Sequence, residues 1–70
     1  MIGMKASLTV YEVRGVYYST RYFGEKPGLL KRAEIREIFT ISGRDADVLE
    51  EEAKREARKR NLTEVVNLGL

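Results

Sequence analysis

Two β-rich runs with almost no chain between them constrain this protein more than any other feature. Residues 5–13 read KASLTVYEV and residues 16–23 read VYYSTRYF. In the first, Ala6, Leu8 and Val10 alternate with Ser7, Thr9 and Tyr11, the two-residue period of a half-buried strand. The second is rich in β-branched and aromatic residues, which suit a pleated surface. So short a connection makes the pair an antiparallel hairpin. Val13-Arg14-Gly15 fits a three-residue loop in which Gly15 takes the left-handed conformation. A two-residue Arg14-Gly15 turn is the rival, and it shifts the register by one side chain. The three-residue loop divides the hairpin more cleanly and is the expectation. It places Ala6, Leu8, Val10, Val16, Tyr18 and Tyr22 on a core face, and Lys5, Tyr11, Tyr17, Arg21 and Phe23 on the other.

Gly24, Pro27 and Gly28 then break the pattern and mark a loop that contains Leu29 and Leu30. AEIREIFTIS (33–42) reads as a third strand, with Ile35, Glu37, Phe39 and Ile41 on one side. The stretch from Ser42 to Asn61 reads as a helix. Ser42 or Asp45 can cap its start, acids gather early and bases late, and Asn61 suits a left-handed end. Ala46, Leu49, Ala53 and Ala57 form a narrow stripe that lets the helix lie close to a sheet. Glu50–Lys54, Glu51–Arg55 and Glu56–Arg60 are spaced for ion pairs along it. TEVVNLGL ends the chain as a short strand or extended tail. The expected architecture is one domain over residues 1–70, of the α+β class. An antiparallel sheet of three to four strands carries one helix on one face (β-β-β-α, with an optional last β), and its other face is open.

Composition removes several functions. The 70 residues include neither cysteine nor histidine, so disulfides, thiolate metal sites and the usual neutral-pH acid–base group are all absent. No calcium loop, phosphate loop or nucleophile elbow is visible. The expectation is a non-enzyme without metal or cofactor, and no small-molecule substrate is evident. No secretion signal or long apolar span is visible, which points to the cytoplasm and away from membranes. Charged residues make up 34% of the chain, and Gln and Trp are also missing. That balance is a thermophile habit, which a melting point in the mesophile range would contradict.

Charge and rings suggest a partner. Residues 1–32 carry six bases against two acids, net +4, and the remainder seven against nine, net −2. Single-stranded nucleic acid is bound where rings stack on bases beside cations that follow phosphates. The expected outer hairpin face supplies both through Lys5, Tyr11, Tyr17, Arg21 and Phe23, with Arg14 at the tip and Lys26, Lys31 and Arg32 in the loop. KREARKR (54–60) is a second basic stretch, read first as a solvated helix end. The order of elements in residues 4–60, three strands and a helix that follows Gly43, resembles the C-terminal part of double-stranded-RNA-binding domains. Those domains also carry a helix before the first strand, and lysines where this helix opens DADVLEEE, so no function is transferred. The leading expectation is a small nucleic-acid-binding module. The alternative is a homo-oligomer, a dimer, that meets its copy through the same sheet face or an edge strand.

Overall fold

The computed structural model, which describes residues 5–62 and 64–68, closes the hairpin in two residues rather than three. Strand β1 (Ala6–Val13) pairs antiparallel with β2 (Val16–Phe23), and Val13 faces Val16. Arg14 and Gly15 have φ of 53° and 84°. Two successive positive φ values define a type I′ turn, whose twist matches that of the flanking strands. This match offsets the roughly 1–2 kcal/mol of holding Arg14, which has a Cβ, left-handed. The expected register is therefore wrong by one residue, and every β2 side chain lies on the face opposite to the expected one.

The remaining elements are a 3-10 turn (Gly28–Lys31), β3 (Arg36–Gly43), helix α1 (Ala46–Lys59) and β4 (Val65–Leu68). The strands stand in the order β3-β1-β2-β4, with β3 antiparallel to β1 and β4 parallel to β2. The class is the expected α+β, one helix on a largely antiparallel sheet, with the parallel β2–β4 pair a minor departure. That pair follows from the crossing: the chain leaves edge strand β3, traverses one face as α1 and returns as the opposite edge. No helix among the described residues is long and apolar enough to cross a membrane.

Helix α1 begins where Asp45 accepts a hydrogen bond from the Asp47 amide. It ends on Asn61, whose φ is 60°. There the Leu62 amide reaches the Ala57 carbonyl at 2.9 Å and the Asn61 amide reaches Arg58 at 3.0 Å. This paired closure satisfies the last carbonyls and turns Leu62 back onto the core. Leu49, Ala53 and Ala57 are buried, and the helix packs over β1 and β3. The core beneath it contains Ala6, Leu8, Val10, Phe39, Leu49 and Ala53. Of the three expected ion pairs along the helix, only Glu56–Arg60 forms among the described residues, at 3.0 Å.

The second face of the sheet is not open, contrary to expectation. Residues 24–35 fold back over it, and Leu30 and Ile35 pack on Tyr11 and Tyr22. The face is built from hydroxyls. Thr9 bonds both the Tyr22 hydroxyl (3.2 Å) and Thr40 (2.9 Å), Tyr11 bonds Thr20 (2.8 Å), and Ser7 bonds Ser42 (2.9 Å). Burying a hydroxyl costs little once it is paired in this way. The third strand also departs from its expected alternation. A bulge at Val10/Tyr11 gives β3 one extra residue, Ile38, so Ile38, Phe39 and Ile41 pack toward the helix. Glu37 instead lies opposite Tyr11, and Ile35 joins the second face.

Candidate interaction surfaces

The register distributes the expected ring-and-cation platform over two faces. Tyr11 is only 3% exposed, on the second face, its ring stacked on Tyr18 with centroids 5.7 Å apart. Tyr17, Arg21 and Phe23 lie on the helix side, because their partners Glu12, Leu8 and Ala6 do. Arg21 Nε pairs there with Glu50 at 3.2 Å, and Phe23, 59% exposed, stands at the far end near Ala46. Lys5, Arg14 and Lys31 are exposed and separate. Arg32 pairs with Glu34 at 2.9 Å, and Lys26 with Glu37. The hydrogen bond to Glu37 raises the Lys26 pKa above its ordinary value. Hydrogen bonds from Lys26 and then Thr40 hold the Glu37 carboxyl below its own. Tyr17 and Phe23 thus share the helix side with Arg21, while Tyr11 is buried on the other face.

What the structure gathers instead is an apolar patch on the second face, where Leu29 of the covering loop meets the β4 side. Val16, Leu29, Val66 and Leu68 are 43%, 51%, 44% and 42% exposed. Val66 lies opposite Tyr18 and Leu68 opposite Thr20, so β4 extends the hydroxyl face with aliphatic side chains. A depression of about 310 Å³ opens among Val13, Tyr18, Leu29, Ile35 and Leu68.

The two sheet edges differ in the same sense. β3 carries Arg36 and Glu37, contains the bulge, and is held by the Arg36–Glu12 and Lys26–Glu37 pairs. Charges and bulges are what keep an edge from pairing with other chains. β4 is Val-Val-Asn-Leu, without charge or proline. Sequence reading did not find this patch, although the uncharged run 65–68 was its signal. Only the β2–β4 pairing puts Val66 and Leu68 beside Tyr18. Comparison of the chain with protein-family models, with curated proteins and with solved structures finds no match.

Proposed function

We propose that this protein is a non-catalytic, self-associating interaction domain whose β4 edges pair, copy to copy, around a two-fold axis. The observation that carries this reading is the β4 edge, unpaired among the described residues, beside the exposed Val16, Val66 and Leu68. Antiparallel β4–β4 pairing satisfies the edge's free backbone groups and joins the two four-stranded sheets into one of eight strands. It also merges the two apolar patches, since Val66 and Leu68 sit at the seam. A chain of 70 residues gains what it lacks most by such a contact, further burial of apolar surface. A single-stranded nucleic-acid module has less support, because Tyr11 is buried on the second face, Arg21 is engaged by Glu50, and Lys5, Arg14 and Lys31 stand apart.

Sedimentation of the wild type and of a Val66→Lys/Leu68→Lys variant, each with and without a single-stranded oligonucleotide, tests the proposal. Both positions are exposed, so the variant keeps the fold, which circular dichroism verifies. The proposal predicts a wild-type dimer and a folded monomeric variant, neither of which takes up the oligonucleotide. A wild type that stays monomeric at high concentration refutes it. Salt-dependent uptake of the oligonucleotide by a monomer favours the nucleic-acid reading instead.

A further inference from the structure

Helix α1 packs chiefly over β1 and β3, and among the described residues it reaches the β2–β4 half of the helix side mainly through Glu50. The result is a cleft of about 230 Å³ between α1 and β4. Alanines create it: Ala53 and Ala57 face a space that longer side chains would fill. Leu8, Val10, Leu62 and Val65 complete an apolar lining. An apolar cavity of about 150 Å³ accepts a benzene ring, so this one has room for a ring or short chain and little more.

The polar groups at its rim are unequal. Glu50 is the one acid among the lining residues, and it is already engaged by Arg21 Nε at 3.2 Å and by the Asn67 amide at 3.2 and 3.3 Å. Lys54 and Arg58 stand one helical turn apart on the same wall, and neither forms an ion pair among the described residues. Ser19 is 7% exposed on the floor, and its hydroxyl takes part in no side-chain hydrogen bond among the described residues. A mostly apolar cleft with a few convergent polar groups is the usual form of a small-ligand site.

We infer that this cleft binds a small amphipathic anion, with its apolar body between Ala53, Ala57 and Val65 and its carboxylate or phosphate head on Lys54 and Arg58. The cleft shares β4 with the proposed seam but faces away from Val66 and Leu68, and because ligand shifts report the one and sedimentation the other, the two readings fail distinguishably. Amide-resolved NMR titration of the wild type with hexanoate, with phenyl phosphate and with neutral hexanamide tests it. Saturable shifts centred on Leu8, Ser19, Ala53 and Val65 are expected for the two anions, and the stronger of them identifies the head group. Hexanamide should bind at least about tenfold more weakly. Lys54→Ala/Arg58→Ala, both at exposed positions, should raise the Kd for the anions by about tenfold or more and leave the fold intact. The inference is overturned by an absence of saturable shifts at about 10 mM ligand. Shifts centred on Val16 and Tyr18, or affinity unchanged in the double variant, also overturn it.

Discussion

The two faces of this sheet are buried by different means. On the helix side, Leu8, Val10 and Leu49 are each 1% exposed and make contact through volume alone. On the other side, Thr9 and Thr20 are equally buried, but their hydroxyls are matched to others. The first face is sensitive to missing methylenes, and the second to missing partners. The comparison also explains where the molecule is unfinished. The aliphatic face ends at a cleft because alanines stop filling it, and the hydroxyl face ends at an apolar patch because β4 brings no hydroxyls.

The largest effect should come from the aliphatic side. Leu49→Ala is expected to cost about 2–5 kcal/mol, measured by denaturant unfolding, because a cavity opens against Leu8 and Phe39. Thr20→Val on the other side removes almost no volume but leaves the buried Tyr11 hydroxyl unpaired, at about 1–3 kcal/mol. Adding Tyr11→Phe should recover most of that loss, since both partners are then apolar. If the double variant is no better than the single one, the faces are not stabilised differently and the contrast fails.

The turn gives a smaller effect of opposite sign. Arg14→Asn should stabilise the protein by up to about 1 kcal/mol, because Asn tolerates the left-handed φ of 53° and Asn-Gly is the preferred type I′ pair. A three-residue loop would place Arg14 in right-handed geometry and offer no such gain. The smallest effect is electrostatic. The Glu37 carboxyl is lowered by its hydrogen bonds to Lys26 and Thr40, so its contribution is complete above the ordinary Glu value of about 4.3 and is lost as pH falls through the lower folded value. Lys26 is raised, so its contribution holds below about 10.4 and disappears as pH rises through its folded value. The pair is partly solvated, which keeps both changes small. As pH falls below the ordinary Glu value of about 4.3, Glu37→Gln should lose less stability than the wild type.

These residues also show what the sequence could disclose. Helix α1 was legible because its determinants are local: Asp45 at the start, acids then bases, and Asn61 at the end. The hairpin was legible as a hairpin, but not in register. Choosing the cleaner hydrophobic division counted Thr9 and Tyr11 as outward residues, whereas their hydroxyls find partners on β2 and β3 under a loop with its own Leu30 and Ile35. The bulge at Ile38 arises from pairing across the sheet and leaves no mark in alternation alone. For the same reason the site was misplaced: Tyr17, Arg21 and Phe23 share a side, but it is the helix's side. Residues 65–68 became informative only once the chain had crossed the sheet to lie beside β2.

The division into two faces, and with it both surfaces, depends on how β1 meets β2. Cross-strand nuclear Overhauser contacts in the hairpin measure this directly. Contacts between the Tyr11 and Tyr18 rings and between Val13 and Val16 are expected, with Leu8 opposite Arg21. A pattern that pairs Val10 with Tyr18 and Leu8 with Thr20 would put Tyr17, Arg21 and Phe23 back beside Tyr11 and contradict the account.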